Sequence, residues 1–245
     1  MKNKTTFGEI GGREWLTYSH NGKEGRFAFP PVKGTHQACY RAIKADREIV
    51  PAEGLDLALL TQGAYTQNTP KWQEVKADCF VSAYTRAPVR ALWIPHGNDL
   101  AGVLLERDLE GKGRSTSMKL PENISGWKKG ENGIYQSPDN NLIFVPEGSY
   151  KIGEHTKDSF AKDGFATGVL TAEGAEIFAR TAVDAKKTPR TWGCKINEIS
   201  APEQTIVDLY EVDGRLYLYG GLWFDVSSGY AFGVSDSGEA SARKN

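Results

Sequence analysis

The sequence contains few cysteines and histidines, and this shortage excludes several kinds of site. Its 245 residues include three cysteines, Cys39, Cys79 and Cys194, and four histidines. An odd number of widely spaced cysteines argues against a disulfide framework, and no CxxC, HxH or HExxH spacing indicates a metal centre. We therefore expect reduced thiols, no metal site and no cofactor.

The sequence also lacks a net charge and a long apolar segment. Thirty basic and thirty-one acidic residues leave a net charge of −1, so the chain as a whole is not attracted to phosphate backbones or anionic lipid. No apolar signal segment opens the chain, and no stretch approaches the ~18 apolar residues of a membrane helix. We expect a soluble, cytoplasmic protein without a membrane partner, and nucleic acid is the least favoured partner.

Alternating apolar and polar residues predict antiparallel strands joined by short turns. The clearest case is residues 205–234, where Asp213-Gly214 is typical of a type I′ turn between two strands. A third strand over residues 222–226 and a fourth over residues 230–234 complete a predicted β-meander. Two further hairpins are predicted around Asn21-Gly22 and Asp139-Asn140-Asn141.

Three segments have helical spacing of their apolar residues. Thr35 is a suitable cap for a helix over residues 36–48, a shorter helix covers residues 55–60, and Thr171 can cap a helix over residues 172–186. Residues 75–84 and 89–94 are rich in β-forming residues and predict strands that Pro88 interrupts. The predicted fold class is α+β, with antiparallel sheets built from hairpins and about three helices packed against them.

Gly, Ser, Lys and Glu dominate residues 111–132, which predicts a long loop or a connection. We expect residues 1–245 to form a single domain, either as one unit or as two lobes connected near residues 111–132.

The segment His96-Gly97-Asn98-Asp99 is the first candidate for catalysis, because it forms a polar cluster directly after a predicted strand. His96 would act as acid or base, with Asp99 or Glu154 to orient it. The alternative is a simple turn, since Gly, Asn and Asp favour turns for backbone reasons. Two other hypotheses are a Cys39 nucleophile with His36 as its base, and a metal site in which Glu154 and His155 join His96.

Two further segments are candidates for binding. The loop of residues 111–117 could hold phosphate with its backbone amides, Lys112 and Arg114, although it lacks the GxxxxGK[ST] pattern. Trp127, followed by two lysines, could stack on a base. Tyr217 and Tyr219 belong to an aromatic set that could form a contact face, unless helices of the same chain cover it.

No assembled catalytic motif is present, so the sequence favours a binding or assembly module. Such a module would contact a protein partner or a second copy through its aromatic sheet face or a sheet edge. The alternatives are a hydrolase or transferase that uses His96, and a nucleic-acid binder that uses the 111–129 segment.

Overall fold

The computed structural model describes residues 5–10, 12–20, 23–221 and 229–235, and its strands form two sheets. In chain order the strands are β1 (Thr5–Ile10), β2 (Arg13–His20), β3 (Lys23–Phe29), β4 (Val32–Gly34), β5 (Ile49–Pro51), β6 (Tyr84–Ile94), β7 (Gly102–Arg107), β8 (Lys128–Lys129), β9 (Tyr135–Gln136), β10 (Leu142–Pro146), β11 (Gly153–Glu154), β12 (Thr188–Gly193), β13 (Glu203–Val212), β14 (Arg215–Gly220), β15 (Gly229–Ala231) and β16 (Gly233–Ser235).

Six α-helices occur in the described residues, rather than about three. They are α1 (His36–Ala45), α2 (Leu55–Thr66), α3 (Pro70–Val75), α4 (Lys157–Ala161), α5 (Gly164–Leu170) and α6 (Ala172–Asp184). The predicted helices correspond to α1, α2 and α6, and the short helices α3, α4 and α5 are additional. Side-chain caps explain several starts, because Thr35, Thr156, Asp163 and Thr171 each accept a hydrogen bond from a backbone amide of the helix they precede.

The small sheet has the strand order β1-β2-β3-β16-β5, and the large sheet has the order β11-β12-β14-β13-β6-β7-β10-β9-β8. β15 joins the large sheet beside β6 and also pairs with β4. Pairing is antiparallel except for β12 with β14 and β15 with β6, which are parallel. The mixed α and β content with mainly antiparallel sheets agrees with the predicted class.

The turn at Asp213-Gly214 has the backbone that the sequence predicts. The φ angles of Asp213 and Gly214 are +50° and +73°, and β13 and β14 pair antiparallel across the turn. The predicted third strand, residues 222–226, lies outside the described residues. The predicted fourth strand, residues 230–234, is not one strand, because these residues divide between β15 and β16 in different sheets. Phe232, which separates these strands, is buried in the core.

Residues 75–84, predicted as a strand, instead continue α3 into a π-helical turn, Lys76–Val81. The buried side chains of Trp72, Val75, Cys79 and Phe80 have helical rather than alternating spacing. β6 begins at Tyr84 and passes through Pro88, where a register shift in the pairing with β13 accommodates the missing amide donor.

One contiguous cluster of buried side chains contains residues of both sheets and of helices α2 to α6. Trp93 lies inside it, and its indole Nε1 donates hydrogen bonds to Thr205 Oγ1 at 3.0 Å and to the Gly220 carbonyl oxygen at 2.9 Å. The segment of residues 111–132, which the sequence predicts as a loop, covers part of the large sheet. Its residues Met118, Ile124 and Trp127 pack on Leu92, Leu104 and Phe144 of β6, β7 and β10. No helix in the described part of the chain has both the length and the apolar character needed to cross a membrane.

Candidate functional site

His96 follows β6 and contacts a carboxylate that the sequence did not indicate. Its Nδ1 lies 2.9 and 2.7 Å from the two carboxylate oxygens of Glu147, the residue after β10. β6 and β10 both pair antiparallel with β7, so they run parallel to each other and their carboxyl ends meet at one edge. The carboxylate that contacts His96 is therefore Glu147, which the neighbouring strand end brings close. The predicted partner Asp99 lies exposed in the turn after β6.

A carboxylate that orients an imidazole is a usual part of acid–base sites. The side chains of His96 and Glu147 are 66% and 43% exposed, so water weakens their attraction. The catalytic assignment of His96 and Asp99 stays a prediction.

His36 and Cys39, both on α1, have buried side chains with contacts inside the protein. The buried ring of His36 lies with Nε2 3.2 Å from the Ala87 carbonyl oxygen and Nδ1 3.6 Å from Asp108 Oδ2. The thiol of Cys39 donates to the Val32 carbonyl oxygen at 3.3 Å, and burial raises its pKa to about 11. A thiol with that pKa stays protonated at neutral pH, which disfavours a role as nucleophile.

His155 is buried beside Phe160, with its Nε2 2.9 Å from Thr191 Oγ1, and burial lowers its pKa. Glu154 does not join it but pairs with Arg215 at 2.6 Å. Within the described residues, no group of three or more His, Cys, Asp or Glu side chains is placed to hold a metal ion.

In the glycine-rich loop of residues 111–117, two backbone amides donate hydrogen bonds to the side chain of Asp108. The two carboxylate oxygens of Asp108 accept hydrogen bonds from the amides of Lys112 and Gly113, both at 2.7 Å. The positive φ angles of Gly111 and Gly113, +66° and +54°, shape the loop around this carboxylate. These two amides are therefore not free to hold an external phosphate.

The side chains predicted for phosphate or base contact differ in their surroundings. Lys112 Nζ pairs with Glu106 at 3.0 Å, and Arg114 is exposed on the loop. Trp127 is half-buried against the large sheet, so only part of its ring is available for stacking.

The densest aromatic arrangement is a row of side chains on one face of the large sheet, which we call the tyrosine row. It consists of Glu154, Arg190, Tyr217, Tyr210 and Tyr84, contributed in this order by β11, β12, β14, β13 and β6. Each member lies opposite or beside the next in the strand register, so all five project on the same face.

The contacts along the tyrosine row are continuous. The Arg190 guanidinium lies 3.6 Å from Glu154 Oε1 and 5.4 Å from the ring centre of Tyr217. Tyr217 and Tyr210 are stacked with ring centres 4.7 Å apart and planes 11° apart, and the Tyr84 ring meets Tyr210 edge-on at 5.2 Å. Such ring and cation contacts hold the side chains in defined orientations.

The row lies on the face of the sheet opposite the core formed with α4 to α6. Leu209, Leu216 and Leu218 alternate with the tyrosines in β13 and β14, and they pack in the main core with Phe160 and Phe178. The helices over the leucines therefore do not cover the tyrosine row. At one end of this face, α1 contributes Tyr40, which donates to the Arg86 carbonyl oxygen at 2.8 Å.

Two exposed apolar side chains adjoin the row. Trp192 is 37% exposed, and its ring centre lies 4.9 Å from the Arg190 guanidinium. Val212, two residues after Tyr210 on the same strand, is 40% exposed. Tyr217 and Tyr219, the two tyrosines among the predicted contact residues, are only 7% and 5% exposed.

Arg190 and Trp192 were absent from the sequence prediction, although a signal existed. They alternate with Thr191 and Gly193 after helix α6, as residues of a two-faced strand do.

Comparisons with protein-family models, with curated proteins and with solved structures find no match for this chain.

Proposed function

We propose that the protein is an assembly module that binds a second copy of itself through the sheet face around the tyrosine row. The observation that carries this proposal is the continuous row from Glu154 to Tyr84 on the face opposite α4 to α6, flanked by the exposed side chains of Trp192 and Val212. A two-fold dimer would bring the same face of both copies together.

The composition of this face is that of an interface. Tyr, Trp and Arg are the residues that most often dominate binding energy between proteins. Trp192, Arg190 and Tyr217 are already stacked in the single chain, so association immobilises few additional rotamers. The exposed indole of Trp192 offers apolar area without exposing a large patch to water.

The charges of the face favour a second copy over a strongly charged partner. An isologous contact places each patch against itself, which requires both signs of charge within one patch. Glu154 lies between Arg190 and Arg215, so both signs of charge occur together at one edge of the face. The net charge of −1 adds little repulsion between copies.

Sedimentation velocity over a wide concentration range tests the proposal. The wild-type protein should pass from monomer to dimer as concentration rises, and Trp192→Ser should weaken the dimer at least tenfold, as expected for an aromatic side chain that association buries. Val183→Ser is the matched control, because Val183 is a 47% exposed residue on helix α6 away from the row. A strict monomer at every concentration, or equal effects of both substitutions, would contradict the proposal.

A further inference from the structure

A cavity of about 260 Å³ lies between the loop after β7 and the large sheet. Its walls include Arg90 of β6, Glu106 of β7 and, from the loop, Lys112, Thr116 and Lys119. It is smaller than the roughly 300–1,000 Å³ typical of drug-sized ligands, so it suits a small molecule. It lies apart from the strands that carry Arg190 and Tyr217, and no residue of the tyrosine row lines it.

The cavity has a rigid polar wall. The Arg90 side chain is 2% exposed, and its Nη1 donates to the carbonyl oxygens of Gly113 and Thr116, which fixes the loop on the sheet. Gln204 holds the same segment, because its Nε2 donates to these two carbonyl oxygens and its Oε1 accepts from the Met118 amide at 2.7 Å. The cavity therefore exists in the folded chain without a ligand to shape it.

The charges around the cavity are not balanced. Glu106 is shared by Arg90 and Lys112, and the buried carboxylate of Asp108 lies 3.9 Å from Arg90 Nε. Arg90 Nε makes no hydrogen bond within the described residues. Lys119 makes no ion pair within the part of the chain that the structure describes. Three cations thus face two carboxylates, and Lys119 carries the excess positive charge.

We infer that this cavity binds a small molecule through one oxyanionic group, a phosphate or a carboxylate. The ammonium groups of Lys119 and Lys112 supply charge-assisted donors, and the hydroxyls of Thr116 and Ser117 supply neutral donors. Met118 and Leu142 provide an apolar wall for the remainder of the ligand. This site differs from the phosphate cradle considered from the sequence, because the loop contributes side chains rather than the amides that Asp108 occupies.

Amide NMR titrations with sodium phosphate and with sodium succinate, at constant ionic strength maintained with sodium chloride, test the inference. At least one of the two anions should cause saturable shifts centred on residues 112–119, and the anion that does so identifies the group. Lys119→Ala should reduce the affinity at least tenfold, because it removes the unpaired cation. Lys195→Ala is the control, since Lys195 is an exposed lysine that pairs with Glu198 at 2.8 Å.

Saturable shifts with either anion, weakened by Lys119→Ala and not by Lys195→Ala, support the site. Shifts that never saturate, shifts spread over the whole surface, or equal affinities of the two variants would overturn it. Both substitutions are at exposed positions, so both variants should remain folded, and the dispersion of their spectra verifies this.

Discussion

Asp163 is a buried carboxyl group whose ionisation the fold opposes. It caps α5, with Oδ1 accepting from the Ala166 amide at 3.0 Å and Oδ2 accepting from the Lys151 amide at 2.8 Å. Burial nevertheless raises its pKa from 3.8 to about 6. Because the native pKa lies above the unfolded value, Asp163 contributes stability that is complete below pH 3.8 and is lost as pH rises through 6.

Asp163→Asn isolates this contribution, because asparagine does not titrate and its oxygen can still cap the helix. The free energy of unfolding of the wild type minus that of the variant should fall by roughly 2 to 3 kcal/mol between pH 4 and pH 7. Urea unfolding across this pH range measures the difference. A difference that stays constant with pH would show that Asp163 titrates normally.

The three cysteines should be inert in the native protein. Cys39, Cys79 and Cys194 are 0%, 2% and 8% exposed, and burial raises the pKa of each thiol. A thiol reagent such as Ellman's reagent should label none of them within minutes under native conditions and all three in denaturant. Rapid labelling of one thiol in the native protein would contradict this expectation and would indicate that this cysteine can act as a nucleophile.

At the scale of elements, a buried ion pair connects β6 and β13. Arg86 Nη1 lies 3.1 and 2.8 Å from the two carboxylate oxygens of Asp208, and both side chains are fully buried. Gly229 of β15 leaves the necessary space, because a Cβ at that position would lie 2.0 Å from Arg86 Nε. Removal of either charge would break this ion pair while the other charge stays buried.

Asp208→Ala should therefore destabilise the protein by about 3 to 5 kcal/mol. The double variant Arg86→Met, Asp208→Leu should be more stable than Asp208→Ala alone, since no charge is left buried without its partner. Urea midpoints of the single and double variants give the comparison. A double variant as unstable as the sum of its single substitutions would contradict the interpretation.

Gln204 should control the order of the loop over the cavity. Gln204→Ala removes three hydrogen bonds to Gly113, Thr116 and Met118 and should speed amide exchange of residues 112–118. Global stability should change by only about 1 to 2 kcal/mol, because these bonds are partly exposed. Gln136→Ala on β9 is the control, and equal exchange in both variants would show that Arg90 alone holds the loop.

Local signals predicted several elements correctly and failed where packing overrides them. The positive φ angles at Asp213-Gly214 and the cap at Thr35 follow from side-chain chemistry within a few residues. Residues 75–84 favour strands by composition, but burial of Trp72, Val75 and Phe80 on one side selects a helical backbone. The division of residues 230–234 between two sheets depends on distant strands and had no local signal.

At the scale of the whole molecule, the candidate sites depend on contacts distant in sequence. Glu147 reaches His96 because β6 and β10 end at the same edge, and Glu154 reaches Arg190 because β11 pairs with β12. The sequence identified Tyr217 and Tyr219 as part of an aromatic set. It did not reveal that both are buried, or that Trp192 forms the exposed part of the same face.

Hydrogen exchange of the wild-type protein at low and at high concentration tests the proposed interface most directly. If the sheet face around the tyrosine row joins two copies, sedimentation at high concentration should give twice the monomer mass. Under the same conditions, amides of β12 and β14 should gain protection, whereas those of α6 should not change. A doubled mass with protection gained elsewhere, or no change in mass or protection, would contradict the proposed assembly through this face.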